Sequence, residues 1–105
     1  MEFELRPYVR SDGSSPYQAW RNGLNVQSRA KVTVYLDRLQ AGNTTHAKWF
    51  EGIGELKIDY GPGYRVYLLR DGLRLLILLA GGNKSTQQAD VRFAKKLATE
   101  YKKEN

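Results

Sequence analysis

The chain has 105 residues, which suits one domain with a core of moderate size, and its net charge of +6 favours an anionic partner: nucleic acid, an acidic protein or a membrane surface. It has no cysteine, which excludes a disulfide framework and thiolate metal sites. Neither a signal peptide nor a membrane span is predicted, because Met1 is followed by acidic residues and the longest apolar run, from Leu75 to Ala80, is too short for a bilayer. We therefore expect a soluble, cytoplasmic protein with a single domain over residues 1–105.

The N-terminal part predicts a strand and then a short helix. Residues 2 to 9 alternate loosely between apolar and charged side chains, and Pro7 places this strand at a sheet edge because proline lacks a backbone donor. Ser15 before Pro16 is typical of a helix start. We expect the helix to continue to about Leu24.

A second, longer helix is predicted from its cap at Asn25 to about Gln40. A tight turn at Gly23 between the two helices indicates a helical hairpin. The apolar stripe of the second helix is predicted to consist of Val26, Ala30, Val34, Leu36 and Leu39, flanked by Val32 and Tyr35. The segment that follows, which includes His46, is interpreted as a loop.

Three consecutive strands are predicted after this loop. The first begins at Glu55 and ends at the turn Gly61-Pro62-Gly63, and the second runs from Tyr64 to Leu69. Asp71-Gly72 is a strong hairpin signal, and the third strand follows from Leu73 to Ala80. Because the third strand is almost wholly apolar, we expect both of its faces to be covered.

Alternation along the first two strands separates a core face from a polar face. Leu56 and Ile58 point to one side, whereas Lys57, Arg65 and Tyr67 point to the other. We expect these three side chains to face a groove. The alternative, equally compatible with the spacing, is that the charges only solvate an open face of the sheet.

A last helix is predicted after residue 84, with Ser85 and Gln88 as a capping box. Its apolar stripe is predicted to consist of Val91, Ala94, Leu97, Ala98 and Tyr101. The fold class is therefore α+β, with an N-terminal strand, a helical hairpin, a three-stranded antiparallel meander and a C-terminal helix.

Most catalytic constellations are absent from the sequence. With one histidine, no cysteine and no telling pair of acids, we predict no metal site and no cofactor. His46 lacks a nucleophile-elbow motif, so a hydrolase triad is not expected. The turn Gly81-Gly82-Asn83 places Lys84 at a helix start, where an anion is favoured, although an ordinary strand-to-helix turn explains the same residues.

Basic and aromatic residues alternate within the sheet segment, a composition that suits single-stranded RNA. They are Lys57, Tyr64, Arg65, Tyr67, Arg74 and Lys84. A ribonuclease that uses attack by the 2′-hydroxyl needs a base, a cation for the phosphate and an acid for the leaving oxygen. We interpret Tyr64 as a packing residue because it lies on the core face.

The chain resembles the RelE/ParE superfamily of bacterial type II toxin–antitoxin modules in two motifs. The first is Gly61-Pro-Gly-Tyr-Arg-Val-Tyr, preceded by Glu55-Leu-Lys-Ile, and the second is Gly81-Gly-Asn-Lys-Ser-Thr-Gln, followed by Asp90-Val91. The likeness extends over most of the chain and is strongest to the HigB-like branch of addiction-module killer proteins. It implies a ribosome-dependent mRNA endonuclease that needs no metal.

The resemblance also implies roles for individual residues. Arg65 matches the arginine that stabilises the phosphate, Lys57 a basic position that serves as base or phosphate contact, and Lys84 a cation near the leaving group. Asp90 lies where some relatives carry a functional tyrosine or acid. RNA binding is expected from Tyr67, Arg74 and Asp90, of which Arg74 has no clear match in the family and is assigned from its charge alone.

The resemblance implies partners as well, namely a cognate antitoxin of the helix-turn-helix DNA-binding type, the ribosome and mRNA, with no membrane. Two alternatives stay open at this point. The ParE branch shares the fold but inhibits DNA gyrase, and a degenerate member would bind its antitoxin without catalysis.

Overall fold

The computed structural model describes residues 2–104, which fold into an α+β domain as predicted. The strands are β1 (Glu4–Pro7), β2 (Ala47–Phe50), β3 (Ile53–Ile58), β4 (Tyr64–Asp71) and β5 (Leu75–Gly82). The helices are α1 (Pro16–Asn22), α2 (Val26–Gln40) and α3 (Gln87–Glu104), and a single 3₁₀ turn (Lys84–Thr86) precedes α3. Over the described range, no helix combines the length and apolarity needed to cross a bilayer.

All five strands form one mixed sheet in the order β1-β5-β4-β3-β2. β1 pairs in parallel with β5, and the other neighbours are antiparallel. The edge position predicted for Pro7 is confirmed. The predicted meander of three strands is wrong by one strand, because β2 extends it at the other edge. β2 has four residues and no side chain in it is fully buried, so it lacks the alternation that marks a strand in sequence.

The sheet is covered on both faces, so the alternative of an open, solvated polar face is wrong over most of its area. α1 and α2 cover one face, and α3 covers the other. The first core contains Phe3, Tyr17, Val32, Leu36, Leu39, Leu56, Ile58, Val66, Leu68, Leu76 and Leu78. The second contains Tyr8, Ile53, Tyr67, Leu69, Ile77, Leu79, Ala80, Ala94, Leu97 and Ala98.

The buried stripe of α2 differs from the predicted one. Val26 and Val34 are 68% and 41% exposed, and Ala30 is exposed as well. The residues of α2 that are buried are Ser28, Val32, Leu36 and Leu39. The hydroxyl of the buried Ser28 lies 3.1 Å from the Tyr64 hydroxyl. Because this buried position is polar, the apolar pattern of the sequence does not reveal which face of α2 is buried.

The start of α3 also differs from the prediction, whereas its apolar stripe is confirmed. The capping box joins Asn83 and Thr86, and Ser85 donates to the Asn83 side chain instead of forming a box with Gln88. Asn83 can cap the turn because its backbone is extended at that point. The stripe predicted for α3 packs on the sheet through Ala94, Leu97 and Ala98, with Val91 and Tyr101 beside them.

A β-bulge in β5 sets the register of the candidate site. Tyr67 stands opposite Ala80 and Leu68 opposite Leu78, so Leu79 has no partner in β4. Beyond this bulge, Gly82 stands opposite Arg65. Bulges shift every later side chain to the other face, and this one turns Gly82 toward α3.

Candidate functional site

Three sequence-predicted cations lie at one end of the sheet. Lys57 stands opposite Arg65 in the β3–β4 ladder, and directly opposite residues share a face. Lys84 follows β5, and its backbone N–H donates to the Pro62 carbonyl at 3.4 Å. A Cβ built on Gly63 would lie 3.3 Å from Arg65 Nη1 and 3.6 Å from Lys84 Cβ, so both side chains flank this glycine.

Arg65 is the most buried of these cations, at 6% exposure, whereas Lys57 and Lys84 are exposed. Its Nη1 donates to the Gly63 carbonyl at 2.6 Å, and its Nε lies 3.8 Å from Glu55 Oε2. Nε is buried without a hydrogen bond. Gly63 has a positive φ of +76°, a conformation that glycine adopts without strain. The guanidinium is therefore held in one orientation by its own strand and turn.

Glu55 is a buried carboxylate that sequence analysis did not select. It is 8% exposed, and its Oε2 accepts a hydrogen bond from Gln87 Nε2 at 3.0 Å. Like charges directly opposite each other destabilise a sheet, so Glu55 offsets the charge of the Lys57–Arg65 pair. The signal in the sequence was an acid two residues before Lys57 on the same face.

The prediction that the Tyr67 side chain faces a groove is wrong. Its side chain is fully buried (0% exposure) because α3 lies over this part of the sheet. Its buried hydroxyl lies beside the Glu55 carboxylate. Burial raises the pKa of this hydroxyl well above its usual range, and the negative charges of Glu55 and Asp90 add to the rise. In this arrangement the ring has no exposed surface on which a base can stack.

Asp90 lies in the first turn of α3, above the backbone of β5. It accepts a short hydrogen bond from the Thr86 hydroxyl, and a Cβ on Gly82 would lie 2.6 Å from its Cγ. A carboxylate at a helix N-terminus is favoured by the helix dipole. Because Gly82 stands opposite Arg65, Asp90 is brought to the site, on the face that Arg65 occupies.

Arg74 is not brought to this site. It is exposed in the β4–β5 hairpin, at the other end of strands of eight residues, which span on the order of 25 Å. Its carbonyl accepts the Glu4 backbone N–H at 2.7 Å. His46 is also elsewhere, with its ring packed edge-on against Tyr35 at 5.2 Å between centroids.

A groove that sequence analysis missed runs between β2, β3 and the start of α3. Its volume is about 530 Å³. It is lined by Lys48, Phe50, Glu51, Glu55, Gln87, Gln88, Val91 and Arg92. Four of these residues belong to α3, three belong to β2 and β3, and Glu51 lies in the turn between these two strands, so only the tertiary structure joins them. Within residues 2–104, no three histidine, aspartate or glutamate side chains cluster as metal ligands.

Comparison with known proteins gives one relative of similar length. An uncharacterized protein of Haemophilus influenzae strain Rd is 46% identical over 86 residues, which cover 80% of this chain and 87% of that protein. No family model matches the chain. At this identity and coverage, the two chains share one fold.

Proposed function

We propose that this chain, which belongs to the same protein family as the Haemophilus protein, is a toxin of a type II toxin–antitoxin module of the RelE/ParE type. It acts as a ribosome-dependent endonuclease that cleaves mRNA. The observation that carries the proposal is the placement of Lys57, Arg65 and Lys84 at one end of the sheet. The two sequence motifs that resemble this superfamily supply these same residues.

The proposed reaction is attack by a 2′-hydroxyl on the neighbouring phosphate. Lys57 accepts the hydroxyl proton or holds the phosphate, and Arg65 stabilises the negative charge that develops on the phosphate oxygens. Lys84 stabilises or protonates the leaving oxygen. Fixing Arg65 through the Gly63 carbonyl favours catalysis, because an oriented donor needs no reorganisation during the reaction.

The proposed partners follow from the charge of the molecule and from the resemblance. A net charge of +6 favours ribosomal RNA and mRNA, and it also suits an acidic segment of an antitoxin. We expect this antitoxin to be a helix-turn-helix DNA-binding protein. The proposed location of the complex is the cytoplasm, where ribosomes translate mRNA.

A second candidate function is antitoxin binding without catalysis, and the burial of Arg65 favours it. At 6% exposure, and with Glu55 beside it, this guanidinium is partly neutralised by the protein itself. A phosphate would have to displace the Gly63 carbonyl or approach another edge of the group. The experiment below separates the two functions.

The test is cell-free translation of a defined mRNA with purified protein, with new 5′ ends mapped by primer extension. Lys57→Ala and Lys84→Ala are suitable variants because both side chains are exposed, so the fold should persist. Arg65→Lys keeps the charge but loses the planar fork. Lys103→Ala, an exposed cation near the end of α3, is the matched control.

We expect ribosome-dependent cuts at codons in the A site for the wild type and the control. Each site variant should cleave at least about 100-fold more slowly, a usual effect for a group that acts on the transition state. Intact message at toxic protein concentrations would contradict the endonuclease. A supercoiling assay would then test the gyrase alternative, and a harmless protein that binds its antitoxin would support the second candidate.

A further inference from the structure

The groove between β2, β3 and the start of α3 adjoins the proposed site but is distinct from it. We call it the Glu55 groove, and its lining was given above. A volume of about 530 Å³ lies within the range of small-molecule pockets. Glu55 belongs to the cross-strand row of Tyr67, next to the row of Lys57 and Arg65. The groove therefore lies one cross-strand row away from Lys57 and Arg65.

Glu55 gives the groove a hydrogen-bond acceptor. Gln87 bonds to Oε2, and Arg65 Nε lies near the same oxygen. The buried Tyr67 hydroxyl also lies beside this carboxylate. The carboxylate is thus held in place by its neighbours, and it forms part of the groove lining. A fixed and largely desolvated carboxylate selects a ligand that presents an N–H group.

The rest of the lining combines apolar walls with cationic rims. Phe50 and Val91 are half-buried and pack against the core under α3. Lys48 stands opposite Glu55 in the β2–β3 ladder, and Arg92 lies across the groove on α3. Both cations are exposed. A ligand that complements this groove has a flat apolar body, an N–H edge and a negative charge, which are the features of a nucleotide.

We propose that the Glu55 groove binds one nucleotide of an RNA strand and selects a base that carries an exocyclic amino group, such as cytosine. The inference rests on the proposed function for the presence of RNA. Glu55 accepts from the amino group, Phe50 and Val91 contact the base, and Lys48 and Arg92 contact the phosphates. Uracil is disfavoured because it places a carbonyl oxygen where cytosine has the amino group, facing the carboxylate.

Binding is measured by fluorescence anisotropy with short 2′-O-methyl oligonucleotides, oligo(C) and oligo(U), which cannot be cleaved by 2′-hydroxyl attack. These two probes differ at two adjacent positions of the base edge: cytosine has an amino group at position 4 and an acceptor at N3, whereas uracil has a carbonyl at position 4 and an N–H at N3. We expect the wild type to bind oligo(C) about tenfold more tightly than oligo(U), the usual size of one selective contact to a base. Glu55→Gln should abolish the preference, because an amide can donate to the uracil carbonyl.

A second pair of variants tests the groove without altering Glu55. Gln88 is exposed at the rim, and Thr99 is exposed on α3 outside the groove. Gln88→Trp places a large side chain at the groove, whereas Thr99→Trp is the matched substitution elsewhere on the same helix. We expect Gln88→Trp to weaken oligo(C) binding about tenfold, and Thr99→Trp to leave it within about twofold.

Two outcomes would overturn the inference: equal binding of oligo(C) and oligo(U) by the wild type, or equal binding of oligo(C) by the two tryptophan variants. If Glu55→Gln does not fold, the tryptophan pair decides. Binding needs neither ribosomes nor cleavage, so the assay is independent of the proposed reaction. A base preference without mRNA cleavage would contradict the endonuclease alone, and cleavage without a base preference would contradict the groove alone.

Discussion

At the scale of single residues, two glycines of β5 let side chains from opposite sides reach the backbone of the sheet. A Cβ on Gly81 would overlap the indole ring of Trp20, which lies on the α1 side. A Cβ on Gly82 would overlap the carboxylate of Asp90, which lies on the α3 side. The pair of glycines is therefore required by close packing on each face.

Gly82→Ala should destabilise the fold by roughly 1–3 kcal/mol, the usual effect of overpacking. The new methyl group must displace Asp90 and the Thr86 hydroxyl that donates to it. The free energy of unfolding, from urea titrations, measures the effect. In an Asp90→Ala background the same change should be milder, because the obstructing carboxylate is gone.

Gly23→Ala is the control, because a Cβ at that position would lie 3.5 Å from the nearest atom, the Trp20 carbonyl oxygen. Its φ of −81° suits any residue. If both substitutions changed the stability equally, close packing would not be the reason for Gly82.

At the scale of elements, local signals predicted more than long-range ones. The hairpin at Asp71-Gly72, the helix caps Ser15 and Asn25 and the stripe of α3 are confirmed, because each depends on residues adjacent in sequence or one helical turn apart. Strand β2 was missed because its pairing with β3 determines it. The bulge at Leu79 is invisible in an apolar run.

The candidate site was predictable in the same limited way. The alternation in β3 and β4 places Lys57 and Arg65 on one face, and the ladder agrees. Burial was not predictable, because it depends on where α3 lies. For that reason Tyr67 was expected in a groove, whereas Glu55 and the lining from α3 were missed.

The buried face of α2 differs from the face predicted from sequence, and two valines of this helix test the difference. Val32 is fully buried against the sheet, and Val34 is 41% exposed. Val32→Ala should lower the free energy of unfolding by roughly 2 kcal/mol, through lost burial and a residual cavity. Val34→Ala should change it by less than about 0.5 kcal/mol.

Thermal or urea unfolding of the two variants measures the difference. Both substitutions remove the same two methyl groups and make the same change in helix propensity, so each is the control for the other. A larger loss for Val34→Ala would mean that the stripe predicted from sequence, and not the observed one, faces the core.

At the scale of the whole molecule, one cluster joins the two ends of the chain. Glu100 on α3 accepts two hydrogen bonds from Arg10, both at 2.9 Å, and one from the Tyr8 hydroxyl at 2.8 Å. These bonds hold the segment after β1 against the C-terminal helix. The Arg10 and Tyr8 hydrogen bonds lower the pKa of Glu100 below its usual range.

This shift predicts how stability depends on pH. A carboxyl group with a lowered pKa in the folded state contributes stability above its unfolded pKa, and the contribution is lost as pH falls through the folded value. We therefore expect the wild type to be more stable than Glu100→Gln at neutral pH, and the difference to shrink below about pH 4.

Urea midpoints measured across the acid range test this expectation. Glu2→Gln, which alters an exposed carboxylate, should follow the wild type throughout. A difference between the wild type and Glu100→Gln that stays constant with pH would show that the ionised form of Glu100 does not stabilise the fold.

The parallel pairing of β1 with β5 has a consequence for the synthesis of the protein. Glu4 pairs opposite Leu75, so the first strand has no partner until most of the chain has been translated. At about 5–20 residues per second, this wait lasts roughly four to fourteen seconds. α3, which covers the other face of the sheet, emerges later still. The domain therefore completes its fold late in its own translation. A nascent chain halted before β5 lacks the strand that joins β1 to β4.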